Sequence, residues 1–241
     1  MLNKEFRWRH PIAIFVGIPI FLILDSDYVG EYIAYSQSIA TLLVVLVFFN
    51  SYRKTSKRVK HIMLLGVAVG FIGEIFFSLI LGMYHYRYEN IPLWVGFGHS
   101  LIFVSVYKVA RYKYVLKNIV PIKMALLSFA IGYTILWLYL ANDWFGFWSS
   151  IAFMFILLIA KKSQLFFLIM FLIVCYIEQV GTSTGTWFWP NTLLGMYDWM
   201  PSGNPPSGIA VFYFLFDAII LVLYLTIHKK VKYRWNRLKN I

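Results

Sequence analysis

The sequence predicts an all-α, polytopic membrane protein: a single transmembrane domain, residues 1–241, in which eight helices cross the bilayer. Of its residues, 61% are hydrophobic and only 13% are charged, whereas soluble domains carry about 25% charged residues. Apolar runs of near-bilayer length recur along the chain, and basic residues fall between alternate pairs of them. A soluble helical domain would need polar helix faces, which these runs lack.

Eight apolar runs separated by polar breaks define the predicted helices. In chain order they are 11–24, 32–49, 61–83, 91–110, 123–140, 144–160, 164–179 and 208–228. Each run has roughly 14 to 23 residues, which suits a hydrocarbon core about 30 Å thick at 1.5 Å per residue. The first run is short, so Arg9 and His10 must snorkel to the interface. Because no small-x-small cleavage site follows Leu24, we interpret this run as a span rather than a signal peptide.

The net charge of +12 indicates anionic lipid headgroups as partners, and not nucleic acid. Every Lys and Arg except Arg87 lies before the first run, in the connections 53–60, 108–123 and 161–162, or after the eighth run. The opposite connections carry the acids Asp25, Asp27, Glu31, Glu89, Asp143 and Asp198. By the positive-inside rule, both termini are cytoplasmic in a cell inner membrane. The single cysteine, Cys175, excludes a disulfide framework and a cysteine-based metal site.

The two halves of the chain share a short pattern. Each half has an acid within or at the end of an apolar run, a glycine seven or eight residues later, and two aromatic residues spaced i, i+2. These residues are Glu74, Gly82, Tyr84 and Tyr86 in the first half, and Glu178, Gly185, Trp187 and Trp189 in the second. The pattern predicts two parallel four-helix pseudo-repeats, about 1–115 and 116–241, related by an axis near the membrane normal. Aromatic belts at the membrane interface would give a similar pattern by coincidence.

Four ionisable side chains lie within the predicted spans and are the candidate catalytic residues. Glu74, His99 and Glu178 fall in the extracytoplasmic half, and Asp217 falls near the midplane. An ionised group in the bilayer costs at least about 2.5–3.5 kcal/mol, so these side chains should share a polar cavity, pair, or carry a proton. For any one of them, a structural hydrogen bond between helices is the alternative. Their spacing, with His85 included, matches no metal motif, so we expect neither a metal nor a cofactor.

The connection between the last two predicted spans is roughly 27 residues long and rich in Gly, Pro and Trp, a length typical of functional loops. Trp187, Trp189, Tyr197 and Trp199 argue against disorder. We predict a re-entrant lid over the cavity, with Asn204 opening a proline turn; a plain interfacial anchor is the alternative. The candidate substrate-binding residues in and near this region are Tyr84, Tyr86, Trp94, Thr184, Trp187, Trp189 and Asn204.

The acid pair suggests acid–base chemistry on a lipid. A protonated carboxylic acid beside an ionised carboxylate can protonate a carbon–carbon double bond, and aromatic faces can stabilise the resulting cation. Two stretches, Glu178-x-x-Gly181-x-x-Thr184-Gly185-x-Trp187-Phe188 and Gly82-x-Tyr84-x-Tyr86 with Ile-Pro-Leu-Trp at 91–94, resemble motifs of the membrane carotenoid hydratases over about 20 to 30 residues.

The resemblance implies addition of water to the terminal double bond of an acyclic carotenoid without a redox cofactor. It implies roles only for the matching residues Glu178, Gly181, Thr184, Gly185, Tyr84 and Tyr86, with Glu178 as the proton donor.

These observations predict an integral inner-membrane enzyme, hydratase-like or cyclase-like, that acts on an isoprenoid or other lipid. The alternative is a proton-coupled transporter or a lipid-binding protein with an outward-facing polar cavity. A structural subunit of a larger complex is a third possibility. The cytoplasmic half offers few polar groups, chiefly Ser105, Tyr107 and Ser128, which favours an enzyme over a transport path.

Overall fold

The structure, a computed structural model, describes residues 9–227, with side chains from residue 14 onward. The predicted cytoplasmic position of both termini falls partly on residues outside this range. The basic residues concerned are Lys4 and Arg7 at one end, and Lys229, Lys230, Lys232, Arg234, Arg237 and Lys239 at the other; the end of the eighth predicted span, His228, also lies outside. Of Arg9, only the backbone is described.

Within residues 9–227 the chain forms ten α-helices, and each of the eight predicted apolar runs overlaps one long helix. The helices are α1 (Arg9–Leu24), α2 (Asp27–Tyr32), α3 (Ser36–Arg53), α4 (Lys57–Glu74), α5 (Trp94–Val109), α6 (Lys113–Lys117), α7 (Ile119–Ala141), α8 (Trp144–Ile159), α9 (Gln164–Ser183) and α10 (Ala210–Ile227). A π-helical segment (Ile75–Ile80) continues α4, and a 3-10 turn (Lys161–Ser163) precedes α9. The prediction of an all-α protein is therefore confirmed.

Four helices are long and apolar enough to cross a membrane: Lys57–Ile80, Ile119–Ala141, Lys161–Ser183 and Ala210–Ile227. Two shorter apolar helices accompany them, Ile14–Leu24 and Trp144–Ile159. Many of their large apolar side chains face outward, as in Leu140 and Ile159. Such exposure is costly in water but natural in lipid. The structure is therefore helical and compatible with a membrane protein, while the number of spans, eight, stays a prediction.

Four short strands lie together with the loops at one end of the helix bundle, which we call the strand end; the opposite end is the far end. They are β1 (His85–Tyr86), β2 (Trp187–Phe188), β3 (Thr192–Leu193) and β4 (Tyr197–Pro201). β1 pairs with β2 and β3 pairs with β4, both antiparallel. The connection predicted to form a lid is thus an ordered segment with a hairpin, and one of its strands joins the two halves of the chain.

Small residues bring α4 close to α5. A Cβ atom added to Gly70 would lie 3.2 Å from the Cα of Gly96, and one added to Gly66 would lie 3.2 Å from the Cβ of Ser100. Close backbone approach through small residues is the usual means of helix association in membranes. It sets Glu74, at the end of α4, opposite His99 on α5.

The π-helical segment begins directly after Glu74. Its wide turn is closed by hydrogen bonds from the Leu81 amide to the Phe76 carbonyl oxygen and from the Met83 amide to the Phe77 carbonyl oxygen, each 2.9 Å. The Ser78 hydroxyl donates to the Tyr84 carbonyl oxygen at 3.0 Å. Single π turns are frequent at functional sites. Here the turn ends the helix and folds the following strand back over Glu74.

Candidate functional site

Glu74 accepts hydrogen bonds from two tyrosines and contacts a histidine. The hydroxyls of Tyr84 and Tyr86 donate to Oε2 at 2.6 and 2.8 Å, and Nε2 of His99 lies 2.7 Å from Oε1. Because β1 folds back from the π-helical segment, residues 10 and 12 positions along the chain reach the same carboxylate oxygen. Glu74 is only 3% exposed, so these three partners replace its hydration.

Glu178 has a matching set of aromatic partners. The indole Nε1 atoms of Trp187 and Trp189 donate to Oε2 at 2.9 and 3.0 Å, and the Tyr213 hydroxyl lies 3.2 Å from Oε1. Gly181, one helical turn after Glu178, makes room for this arrangement, since a Cβ atom there would collide with the Trp187 ring. Glu178 is also only 3% exposed.

The partners of the two glutamates contact each other in pairs. Ring centroids are 4.7 Å apart for Tyr84 and Trp189, and 6.1 Å apart for Tyr86 and Trp187. The rings of His99 and Tyr213 are 5.0 Å apart. The β1–β2 pairing, in which Tyr86 lies opposite Trp187, sets this arrangement. The two carboxylates therefore belong to one continuous aromatic and polar cluster.

Both glutamates line the same cavity, which has a volume of about 200 Å³. For comparison, a cavity of about 10–15 Å³ holds one water molecule. The cavity is enclosed by α1, α3, α4, α5, α9, α10, the π-helical segment and the first two strands. Its polar lining is Glu74, Tyr84, Tyr86, Trp94, His99, Ser105, Glu178, Trp187, Trp189 and Tyr213. Except for Ser105, these groups lie toward the strand end, and the lining toward the far end is apolar.

The two tyrosines on Glu74 lie outside the helices, in and beside β1, and remain protonated. Burial raises the pKa of both Tyr84 and Tyr86 well above the usual range of a phenol, and the negative charge of Glu74 adds to the shift. Both phenols are therefore fixed hydrogen-bond donors to the carboxylate.

An ion pair at the strand end connects chain segments that lie next to the cavity. The Arg87 guanidinium contacts Asp25 at 2.8 Å and Ser36 at 2.9 Å, and Trp94 donates to the second oxygen of Asp25 at 2.6 Å. Burial raises the pKa of the Asp25 carboxyl, while the Trp94 hydrogen bond and the Arg87 charge oppose that shift. Arg87, the single cation that departed from the charge pattern in the sequence, thus joins the start of α3 and the end of α1 to the segment after β1.

Another buried acid, Asp143, binds the backbone of the proline-rich segment before α10. Its two oxygens accept hydrogen bonds from the backbone amides of Gly146, Gly203 and Ser207, at 2.9, 2.8 and 2.7 Å. In the same segment, the Asn204 side chain accepts a hydrogen bond from the Trp189 amide at 3.0 Å. Asn204 therefore positions a partner of Glu178 without lining the cavity itself.

The structure brings together most of the residues that the sequence analysis singled out. Glu74, His99, Glu178, Tyr84, Tyr86, Trp94, Trp187 and Trp189 all line the cavity. Thr184 does not: its hydroxyl donates to the Val180 carbonyl oxygen at 2.9 Å, at the end of α9.

Asp217 also lies outside the main cavity. It lines a second cavity of about 10 Å³, the size of one water, together with His99 and Tyr213. Its Oδ2 atom has no hydrogen-bond partner among the described residues. Asp217 is therefore one side chain away from the cluster rather than a member of it.

The sequence analysis did not identify Tyr213, or the walls formed by α1 and α3, as parts of the site. Tyr213 stands one helical turn before Asp217 and occupies the place beside Glu178 that His99 occupies beside Glu74. A search of the second half for a partner equivalent to His99 would have found it. The walls carry no such signal, since their lining residues, such as Ile14 and Val44, are ordinary apolar residues.

Within the described residues, no group of three or more His, Cys, Asp or Glu side chains could hold a metal ion. Fold and site together define a helical protein with four helices long and apolar enough to cross a membrane, and with two buried glutamates in a largely apolar cavity. No family model, no curated protein and no solved structure matches the chain.

Proposed function

We propose that the protein is an inner-membrane enzyme that performs acid–base chemistry on an unsaturated, isoprenoid-type lipid. The observation that carries this proposal is the pair of buried glutamates in one apolar cavity, each held by three aromatic partners. Two carboxyl groups in different environments are the usual requirement for paired acid and base roles.

The partners of the two glutamates suggest which is the acid. Glu74 lies against His99, whose Nε2 atom is 2.7 Å from Oε1 and can take up a proton that the carboxylate receives. Glu178 has only neutral partners, and no Lys or Arg side chain lines the described cavity. Its Oε1 atom has Tyr213 as its polar neighbour, and a hydroxyl can accept as well as donate. We assign Glu178 as the proton donor and Glu74 as the base.

In the proposed reaction, the Glu178 carboxylic acid gives its proton to one carbon of a double bond. The π electrons form the new C–H bond, and the other carbon becomes a cation. In a hydratase, water then forms a C–O bond to the cation and loses a proton to Glu74. In a cyclase, a second double bond of the same chain forms a C–C bond, and Glu74 removes a proton from a neighbouring carbon. Exchange with solvent returns both carboxyl groups to their starting states.

The aromatic lining supports a cationic intermediate. The faces of tyrosine and tryptophan rings attract cations by about 0.5–2 kcal/mol each, more where water is excluded. The absence of basic side chains from the described lining argues against a phosphate or carboxylate headgroup and favours a neutral substrate. The resemblance of the Glu178 and Tyr84–Tyr86 motifs to carotenoid hydratases points to the same chemistry.

A proton-coupled transporter is the rival function. Alternating access requires polar groups that continue the path toward the other side of the membrane. Toward the far end the cavity lining is apolar apart from Ser105, so the enzyme is favoured. A lipid-binding protein without catalysis is distinguished by the experiment below.

Eight spans, cytoplasmic termini and two parallel pseudo-repeats are part of the proposal. The pair contacts support the repeats: if Tyr84 corresponds to Trp187, and Tyr86 to Trp189, then the Tyr84–Trp189 contact maps onto the Tyr86–Trp187 contact. Reciprocal contacts of this kind are the mark of a two-fold axis. The π-helical segment occurs only in the first half of the described chain, so such repeats have diverged.

Lipid profiling tests the proposal. Neutral lipid extracts of cells that express the wild type, Glu178→Gln or Glu74→Gln are compared by mass spectrometry. Glutamine retains an oxygen that accepts the indole and phenol hydrogen bonds but cannot transfer a proton in the same way. Both variants should lose the product and accumulate an unsaturated precursor. Asp198→Asn is the control, since this acid is exposed and outside the cavity. Unchanged profiles for both glutamate variants would exclude the enzyme.

A further inference from the structure

The far-end part of the cavity runs along α5, away from the two glutamates. Along this helix the lining passes from Trp94 through Gly98 and His99 to Ser105, a distance of about 16 Å at 1.5 Å per residue. Ile14 and Gly17 on α1 and Val47 on α3 line the same space. We call this part the apolar arm. Apart from Ser105, the polar groups of the cavity lie at the end where the arm meets Glu74 and Glu178.

Two glycines leave the apolar arm wide. A Cβ atom built on Gly17 has no heavy atom within 4 Å, and one built on Gly98 meets only the Trp94 ring, at 3.7 and 3.9 Å. Several other glycines mark tight contacts, as at Gly181 against Trp187. At Gly17 and Gly98, in contrast, nothing in the packing of the helices requires the absence of a side chain. What the two glycines provide is space inside the cavity.

The wall of the apolar arm beside α3 is only partly covered. Val47 lines the cavity and is 44% exposed. Apart from Ser105, the lining of the arm is apolar. Such a lining suits a neutral chain that arrives from the hydrocarbon core of the bilayer.

We propose that Gly17 and Gly98 are specificity-determining residues that admit a long, neutral apolar chain into the arm, with its reactive end at Glu74 and Glu178. This inference rests on the proposed function for the identity of the reactive end, but not for the binding of the chain. A side chain at Gly17 should shorten the arm. It should therefore exclude long chains and still admit short ones.

Photolabelling tests the proposal without any turnover. The purified protein in lipid nanodiscs is irradiated with a diazirine derivative of a twenty-carbon or of a ten-carbon isoprenoid alcohol, and labelled peptides are identified by mass spectrometry. The variants are Gly17→Phe and, as a matched control, Gly132→Phe. Gly132 lies on α7, is exposed, and likewise has no atom within 4 Å of an added Cβ atom, but it does not line the cavity.

The wild type and Gly132→Phe should label cavity-lining peptides of α1 and α5 with both probes. Gly17→Phe should lose roughly tenfold of the long-probe labelling, equivalent to about 1.4 kcal/mol, because the phenyl ring would occupy the space of the chain. Its short-probe labelling should persist, which also shows that it is folded. Equal long-probe labelling of Gly17→Phe and the wild type would overturn the proposal, as would wild-type labelling restricted to lipid-facing residues.

The same assay separates this inference from the proposed function. Glu178→Gln should keep both kinds of labelling. If its lipid profile is unchanged while long-probe labelling depends on Gly17, the proposed reaction fails and the chain-binding arm stands. If the lipid profile of Glu178→Gln changes but long-probe labelling is the same in Gly17→Phe and the wild type, the proposed role of the arm is wrong and the proposed reaction is supported.

Discussion

At the scale of single residues, the site depends on how each carboxylate is held. Each glutamate uses aromatic donors in and beside the strand that follows its own helix, so the distance along the chain is short and the geometry is local. The acid, the glycine and the i, i+2 aromatic pair could be read from the sequence because they lie within a dozen residues. Tyr213 could not be read in this way, since it comes from a separate helix 35 positions later.

Gly181→Ala tests whether the position of Trp187 matters for function. The added methyl group collides with the indole ring, and overpacking of this kind typically costs about 1–3 kcal/mol. We expect a folded protein with a lowered thermal unfolding temperature and reduced product formation. Gly132→Ala, at an exposed position of α7, should lower neither quantity. A Gly181→Ala variant with full product formation would show that the Trp187–Glu178 hydrogen bond is dispensable.

Tyr86→Phe tests the role of the hydrogen bonds on Glu74. The variant removes one bond to a charged acceptor, worth about 1.5–3 kcal/mol, and leaves Tyr84 on the same oxygen. Stability should fall by that amount, as measured by denaturant or thermal unfolding in detergent. Tyr88→Phe, at an exposed ring nearby, should have little effect. An equal loss in both variants would mean that the cluster does not stabilise Glu74.

At the scale of elements, hydrophobic runs predicted the helices well and the connections poorly. The run 61–83 reads as one continuous span, yet the structure changes from α to π helix at Ile75. No apolar pattern distinguishes the two, because their hydrogen bonds differ by one residue within the same run. The two-residue strands β1 and β2 are too short to show a period of two, so their pairing required the structure.

Arg87→Gln tests the ion pair that holds the strand end. Breaking a buried pair by removing one partner costs about 3–5 kcal/mol, because the other charge is left without compensation. The unfolding temperature should fall strongly. A double variant, Arg87→Gln with Asp25→Asn, should recover part of the loss, since the uncompensated charge is gone. If the double variant is no more stable than the single one, the ion pair does not explain the loss.

The Arg87→Gln variant should also become more stable as pH falls. Burial already raises the pKa of Asp25 above its ordinary value of 3.8, and loss of the Arg87 charge removes an opposing effect. The folded variant therefore binds a proton more readily than the unfolded chain does. Its stability should be highest below about pH 4 and should decrease as pH rises toward the raised folded pKa. Unfolding curves between pH 4 and pH 8 measure this; an opposite slope would contradict the assignment.

At the scale of the whole molecule, composition alone predicted a helical membrane protein, and the helical part of that prediction is confirmed. The common cavity could not be predicted in the same way, because its walls are apolar residues from helices far apart in sequence, such as α1 and α5. The pseudo-repeat pattern is the best sequence indication of the cavity, since it groups Glu74 with Glu178. It did not indicate which surfaces of the two halves face each other; the β1–β2 pairing does.

Reporter fusions test the proposed topology. A reporter placed after Asp198, in the β3–β4 hairpin, should be extracytoplasmic, and one placed between α3 and α4, beside Lys54, should be cytoplasmic. Alkaline phosphatase and green fluorescent protein report the two sides with opposite signals. A cytoplasmic signal from the hairpin fusion would contradict the arrangement of eight spans with both termini inside.

The central claim is that Glu178 transfers a solvent-derived proton to a carbon atom of a lipid. The most direct measurement is deuterium incorporation: membranes that contain the protein are supplied with neutral lipid extract in heavy water, and the product is analysed by mass spectrometry. The wild type should form a product with one non-exchangeable deuterium on carbon, and Glu178→Gln should form none. A product without that deuterium, or the same incorporation in Glu178→Gln, would contradict the account.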